Sequence, residues 1–238
     1  MQFPAPSRPS LPTMDLAAAW EAHAEEWIAW AREPGHDGFW DGTWPALREL
    51  LPPPDGPVLD IACGEGRLGR ELAALGHGVI GIERSPSLAQ AAACHSSALP
   101  VALADAAALP IKDAAVGLAV ACMCLQGLDR LDPATAEMAR VIRSGGTLLV
   151  ALVHPVANCI AEPIRVTGET TIVEPYLTER RMELSIERAG LRMTFVSMHR
   201  PLSRYVNSLT QAGFTISDLR EHGAGLLPWL LAIAAERR

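Results

Sequence analysis

The sequence predicts an α/β domain built on a parallel sheet with helices on both faces. Strand-like and helix-like patterns alternate from residue 57 onward, and the connections between them are short. The strand-like runs are apolar on every side rather than on alternate residues, as strands covered on both faces must be. Apolar residues make up 49% of the 238, enough for a sizeable core.

The sheet is preceded by a unit covering residues 1–52. Met1 to Pro12 carries four prolines and reads as an extended arm. Leu16 to about Arg32 is helical and rich in Ala, Glu and Trp, with Asp15 as N-cap and Pro34-Gly35 as the stop signal. Trp44 to Leu51 forms a second short helix. Pro52-Pro53-Pro54-Asp55-Gly56-Pro57 then leads into the main domain, residues 53–238.

Val58 to Ala62 is the first strand, followed by a Gly-rich turn and a helix from Arg67 to Leu75 that Gly76 ends. Val79 to Glu83 is the second. Ser85-Pro86 opens the next helix, with serine at N-cap and proline at the first helical position. Val101 to Asp105 and Val116 to Met123 are the third and fourth strands. Asp132-Pro133 starts a helix to about Ile142 in the same cap-and-proline manner, and Gly145-Gly146 turns the chain into a fifth strand, Thr147 to Val153. The alternation breaks at about residues 155–200, an insertion holding two short strands, Arg165 to Thr167 and Met193 to Ser197. A helix from Pro201 to Ala212 and a strand from Phe214 to Leu219 follow. Trp229 to Ala235 suits a helix by composition and a central strand by its length and all-round apolarity.

A formal charge of −7 and a pI near 5.5 argue against a protein that tracks a phosphate backbone. The five cysteines include no paired CxxC zinc site, and Cys122 and Cys124 read as buried thiols within a strand. No apolar run approaches membrane-spanning length, and the proline-rich start lacks the regions of a signal peptide. Reduced thiols and no signal imply the cytoplasm. A small-molecule ligand, without nucleic acid or membrane, is the expected partner.

The richest stretch is Val58-Leu59-Asp60-Ile61-Ala62-Cys63-Gly64-Glu65-Gly66-Arg67. A strand delivers an acid, and small residues then let a ligand lie against the backbone before a helix begins. The spacing is not the G-x-G-x-x-G of a dinucleotide fold, and Asp60 and Glu65 would repel a pyrophosphate. A cationic amino-acid group would be favoured. Glu83 closes the second strand and Asp105 the third. Three acids at three successive strand ends fall on the carboxyl edge of one sheet, where open α/β sheets bind ligands.

These residues resemble the first motif of the class I S-adenosylmethionine-dependent methyltransferases, in the broad small-molecule branch. Residues 60 to 66 match acidic-x-Gly-x-Gly-x-Gly apart from Ala62. The likeness continues in Ala136 to Leu148 (with Ser144 in place of a usual proline), in Gln211-Ala212-Gly213-Phe214-Thr215-Ile216, and in Pro228 to Ala235. It implies a Rossmann-like seven-stranded sheet in the order 3-2-1-4-5-7-6 with strand 7 antiparallel, an N-terminal helical cap, and a strand at Trp229 to Ala235.

The resemblance implies S-adenosylmethionine as cofactor and S-adenosylhomocysteine as product, with transfer to an O, N or C atom of a small molecule, as in secondary metabolism. Asp60 would organise the cofactor's amino group, with Ala62, Cys63, Gly64 and Gly66 along its backbone cradle. Glu83 would accept the ribose hydroxyls beside Arg84, a bidentate task suited to a carboxylate. Asp105 and Ala106 would flank the adenine, and Cys122 the fourth strand's end. His154, after the fifth strand, and His199, before the last helix, are candidate bases. Trp27 and Trp30, with Trp20 on one helical face, and Tyr176, Tyr205 and Asn207 are candidates for the substrate side; Trp40 belongs to the same cover. The tryptophans are consistent with plain packing or with a lid. The rival readings are a methyltransferase-like binding module without catalysis, a nicotinamide-dependent oxidoreductase, and a macromolecular acceptor.

Overall fold

The computed structural model describes residues 15–95, 97–160, 172–223 and 225–238. Its main strands are β1 (Pro57–Ile61), β2 (Gly78–Glu83), β3 (Val101–Leu103), β4 (Val116–Cys122), β5 (Ile142–Val153), β8 (Phe214–His222) and β9 (Leu230–Arg237). They form one sheet in the order β3-β2-β1-β4-β5-β9-β8, with β9 antiparallel to both its neighbours and the other pairs parallel. This is the expected order. The last two strands carry the numbers eight and nine because a separate hairpin, β6 (Arg180–Arg188) and β7 (Leu191–His199), lies between them and β5 in the chain.

The two-sided apolarity of the strands is explained by what covers them. In β5, Leu148, Val150 and Leu152 pack into one core and Leu149 and Ala151 into the other; β9 splits likewise between Leu231 and Ile233 and between Leu230 and Ala232. Helices α6 (Leu131–Val141) and α7 (Leu202–Gln211) cover the first face through Met138, Tyr205 and Leu209. The second face receives α3 (Trp44–Arg48) and α4 (Arg67–Ala74) through Leu47, Leu68 and Leu72. Successive side chains of a strand point to opposite faces, so only an unbroken apolar run fills both layers.

Several local readings change. The first helix is two, α1 (Leu16–Ala22) and α2 (Ala24–Arg32), parted at His23, and Asp15 caps it by accepting the Ala18 N–H at 2.7 Å. A π-helical turn, Phe39–Thr43, precedes α3, which stops at Arg48 rather than Leu51. Ser85 caps α5 (Pro86–Ala93) as expected. Asp132 does not cap α6, which begins one residue earlier; its carboxylate takes Arg204 through two 2.7 Å contacts and the Ser208 hydroxyl at 2.7 Å, tying α6 to α7.

The largest gain is the hairpin. Met193 to Ser197 is only the middle of β7, and its partner β6 was not anticipated. Ala189 and Gly190 both take positive φ (48° and 80°), the mirror-image turn that matches the twist of two-residue hairpins. The usual Asn-Gly or Asp-Gly signal is absent, but the period-two run Met182, Leu184, Ile186 was visible in the sequence. The expected strand Arg165 to Thr167 and the arm Met1 to Pro12 lie outside the described residues.

The π-turn is held against the sheet edge by Trp229, whose ring sits 2.3 Å from where a Cβ on Gly42 would be and 2.8 Å from one on Gly38. Such turns, with one extra residue per loop, are common beside functional sites. We expect Gly42→Ala to destabilise the fold by about 1–3 kcal/mol through overpacking on the indole. Urea unfolding measures this, and a change below about 0.5 kcal/mol would contradict the placement of Trp229.

Candidate active site

The strand ends deliver three acids to one cavity of about 470 Å³ at the carboxyl edge of the sheet, within the size range of small-ligand sites. Asp60, Glu83 and Asp105 all line it, along with Ala62, Cys63, Gly64, Arg84, Ala106 and Cys122.

The three carboxylates differ in their partners. Asp60 is buried at the end of β1, and its Oδ2 has no hydrogen-bond partner. Burial pushes its pKa up to about 7, aided by the nearby Glu83 charge and opposed by Gly69 and Arg70. Glu83 is also buried, and burial raises its pKa against three backbone N–H groups that it accepts: Gly64 at 2.9 Å, Arg84 at 2.8 Å and Ser85 at 2.9 Å. Asp105 is half-buried; its burial is outweighed by the Ala107 N–H and by Arg130 and Arg84, which hold its pKa below the ordinary range.

The Gly-rich turn takes its shape from positive φ angles at Ala62 (56°), Gly64 (57°) and Gly66 (87°). The alanine therefore stands where the backbone itself, as well as the space, favours glycine. Gly66 does not line the cavity. A Cβ there would meet the Ala92 Cβ at 2.9 Å, so its smallness serves the packing of α4 on α5. Glu65, expected to face a ligand with its charge free, pairs with Arg70 at 2.7 Å and with Arg32 at 3.1 Å.

The N-terminal helices form one wall of the cavity. Trp20 and Trp27 line it, edge to face at 5.9 Å, and Trp27 Nε1 stands 3.3 Å from where a Cβ on Gly64 would be. Trp30 instead is buried outside the cavity, edge-on to Phe195 and His36. Polar contacts clamp this wall to the sheet edge. Glu21 accepts the hydroxyls of Ser85 and Ser87, Asp129 accepts the Leu16 N–H at 3.1 Å, and Asp37 binds Arg67 through two nitrogens at 2.7 and 3.2 Å. The Arg67 guanidinium lies 4.0 Å from the centre of the Phe39 ring. The hairpin continues this wall with Met182, Leu184, Ile186 and Phe195, and the Glu26 carboxylate accepts the Thr194 N–H at 3.0 Å to lock hairpin to helix.

Neither histidine lines the cavity. His154 Nδ1 accepts the Val156 N–H at 3.1 Å, which puts its proton on Nε2, 2.8 Å from Glu221 Oε1. Burial lowers the pKa despite that carboxylate. His199 Nε2 bonds the Tyr176 carbonyl at 2.7 Å, and its pKa is lowered chiefly by burial. Tyr176 uses its hydroxyl to accept the Leu202 N–H at 3.1 Å. Tyr205 is buried in the core, and Asn207 is exposed on α7. Strand-end position was the signal for His154, but the chain turns at Pro155 so that the side chain points toward β8, and Asn158 lines the cavity instead. Sequence reading also missed Arg67, Gln126 and Asp129, which lie in turns or helix starts without a recognisable motif.

Comparison with known proteins agrees with this architecture. Residues 59–150 match the family model described as Methyltransferase domain. A crystal structure of an S-adenosylmethionine-dependent methyltransferase from Mesorhizobium loti superposes with a TM-score of 0.66 at 24% identity, covering 83% of this chain and 99% of that one. The glycopeptide N-methyltransferase MtfA complexed with S-adenosyl-L-methionine superposes with a TM-score of 0.61 at 23% identity, over 87% of this chain and 99% of that one. Among curated proteins, the malonyl-[acyl-carrier protein] O-methyltransferase of Hamiltonella defensa subsp. Acyrthosiphon pisum is 36% identical over 92 residues, 39% of this chain and 36% of that protein. The matched stretch thus spans little more than a third of that relative. The fold is that of the S-adenosylmethionine-dependent methyltransferases it superposes on, and residues 59–150 are similar to the methyltransferase-domain model.

The Asp60 carboxyl yields a stability prediction. Its folded pKa lies above the unfolded value, so its stabilising contribution is complete below the ordinary carboxylate range and is lost as pH rises through about 7. A rise of that size corresponds to about 4 kcal/mol. We expect Asp60→Asn, which keeps the shape and cannot ionise, to be more stable than the wild type at pH 8 by about 2–4 kcal/mol, with the difference shrinking toward pH 5. Denaturant titrations of both ligand-free proteins across that range measure it. A pH-independent difference would show that Asp60 is not titrating.

Proposed function

We propose that this chain transfers a methyl group from S-adenosylmethionine to a small molecule and releases S-adenosylhomocysteine. The observation that carries this reading is the buried Asp60 carboxyl, which has no ion-pair partner and lines the same cavity as Glu83, at the end of β2, and Asp105, two residues past the end of β3. An unpaired buried carboxylate is costly unless a ligand supplies a cation or donor, and the cofactor's ammonium group is both. When bound, the cofactor supplies a methyl group that is already electrophilic.

The chain's own residues then bind and orient. Asp60 receives the ammonium group. Glu83 keeps lone-pair capacity beyond its three backbone donors for a ribose hydroxyl. Asp105, beside Ala106, takes the amino group of the adenine, with Arg84 at the rim. Ala62, Cys63, Gly64 and Cys122 form the floor. Trp27, over Gly64, and the hairpin exclude water, which strengthens every polar contact inside. Six carboxylates against three guanidinium groups in the lining favour a cationic ligand over a pyrophosphate, and so oppose a nicotinamide cofactor.

The closed wall of α1, α2 and the hairpin supports a small, free acceptor. A second reading, an acceptor carried on a protein, draws support from the name of the curated malonyl-[acyl-carrier protein] relatives. No helix among the described residues is long and apolar enough to cross a membrane.

Two measurements test the cofactor. In calorimetric titration, S-adenosylhomocysteine should bind at micromolar strength and NAD should not; NAD binding alone would remove the reading. Glu83→Gln, which loses one acceptor oxygen, should weaken binding by about 1.5–3 kcal/mol, the worth of a hydrogen bond to a charged group. Asp60 also couples binding to pH. Its carboxyl is protonated below about pH 7 in the free protein and must ionise to hold an ammonium group, so affinity should rise with pH up to about 7 and then level off. Titrations in buffers of differing ionisation enthalpy should detect about one proton released at pH 6 and almost none at pH 8.5, and Asp60→Asn should abolish that release. Equal proton release in wild type and variant would contradict the role of Asp60.

A further inference from the structure

The cavity lining draws on two parts of the fold with different chemistry. Asp60, Glu83 and Asp105 stand at or beside the ends of β1, β2 and β3, on one side of β4 in the sheet. On the other side of β4, the end of β5 contributes Val153, the turn after it Asn158, and the residue before β9 is Trp229. The β6–β7 hairpin adds a strip of its own. Met182, Leu184 and Ile186 alternate along β6 and so share one face, and Met182 and Leu184 stand directly opposite Ser197 and Phe195 of β7. All five line the cavity, whereas Glu183, Ser185 and Glu187, on the other face of β6, do not.

Leu184 is 56% exposed although it lines the cavity, so the cavity opens to solvent along this strip. An apolar side chain left uncovered at the mouth of a cavity marks a binding groove. Among the described residues, the hairpin, β5, the turn after it and Trp229 contribute no charged residue to the lining. Arg180 and Arg188, at the two ends of the strip, are turned to main-chain carbonyls, Arg180 to Pro175 and Asn158, Arg188 to Gly35 and His36. Thr43, Asn158 and Ser197 supply uncharged polar side chains to the lining, and none of these side chains has a hydrogen bond among the described residues.

We propose, on the methyltransferase reading above, that the hairpin strip is the acceptor-binding surface and that the acceptor is an uncharged, largely apolar molecule. Its body lies against Met182, Leu184, Ile186 and Phe195, where covering apolar surface supplies binding energy that needs no charge. Thr43, Asn158 and Ser197 are the groups that can meet an uncharged oxygen or nitrogen of the acceptor. An anionic acceptor would find no free cation, because each guanidinium of the lining already faces a carboxylate: Arg67 faces Asp37, and Arg84 and Arg130 face Asp105. A cationic acceptor would be brought against the positive sulfur of the cofactor. Leu184, at the mouth, is the specificity-determining residue, since it touches the outer part of the acceptor and lies away from the strand-end acids.

The test uses the full chain and reads binding first. Nile red, an uncharged apolar dye, should occupy one saturable site in the presence of S-adenosylhomocysteine. Leu184→Glu, at an exposed position that tolerates charge, should weaken the dye by about tenfold or more, with S-adenosylhomocysteine affinity changed less than about twofold. Glu183→Gln, on the other face of β6, should leave dye binding unchanged. No saturable site, equal dye affinity in Leu184→Glu, or equal loss in both variants would overturn the inference; failure of S-adenosylhomocysteine to bind would instead overturn the methyltransferase reading. Turnover is read with S-adenosylmethionine carrying a deuterated methyl group and a library of uncharged alcohols, phenols, anilines and amides, each matched in size by a carboxylate, phosphate or quaternary ammonium counterpart. Mass spectrometry should find the label in uncharged members, and label confined to charged ones would overturn the inference while leaving the methyltransferase reading intact. For the best acceptor, Leu184→Ala should raise KM by about tenfold with kcat within about twofold, and a fall in kcat at unchanged KM would overturn the role of Leu184.

Discussion

The Glu83 carboxylate ties together the two turns on which the candidate site is built. It ends β2, yet one of its oxygens accepts the N–H of Gly64, in the turn after β1, and the other the N–H groups of Arg84 and Ser85. Charge-assisted bonds of this kind are stronger than those between neutral groups, and burial removes the water that would compete for them. The Gly-rich turn is thereby held in its left-handed shape, Ala62 included, and Ser85 is set where its hydroxyl can cap α5. The N-terminal helices depend on the same construction, because Glu21 grips Ser85 and Ser87.

The cavity wall follows from a second constraint. An open α/β sheet leaves its carboxyl edge uncovered, and small ligands held there are exposed to water unless other elements close over them. Here α1, α2, the π-turn and the β6–β7 hairpin supply the closure. Their contacts combine polar clamps, such as Arg67 with Asp37 and Glu26 with the Thr194 N–H, with an aromatic cluster of Trp20, Trp27, Trp30 and Phe195. The tryptophans thus serve packing and cavity lining together, and the division between the two falls within a single helix: Trp27 faces the cavity and Trp30 the core behind it.

Two residues of the lining, Asp60 and Gln126, each hold a buried oxygen without a hydrogen-bond partner, and the two are opposites in chemical character. Asp60 is a carboxylate that burial holds close to neutrality, while Gln126 is a carbonyl that cannot titrate. The first changes its charge as pH passes about 7.

The sequence by itself determined the sheet, its order through the family resemblance, and the three acids at its edge. Unbroken apolar runs, strand-ending acids and glycines at fixed offsets are local patterns, and the physical demands behind them, two-sided burial and left-handed turns, are met within a few residues. The Ser85 and Asp15 caps were legible for the same reason. Only the tertiary structure decided which side chains share the cavity. His154 follows a strand end on the correct edge, but the Val156 N–H and Glu221, 67 positions away in the chain, turn its ring aside. Asp37 finds Arg67, and Glu65 is neutralised by Arg70 and Arg32, through contacts that sequence spacing does not encode. Local propensity fixes where a backbone turns; the direction of a long side chain is set by whatever packs beside it, and those neighbours come from distant parts of the chain.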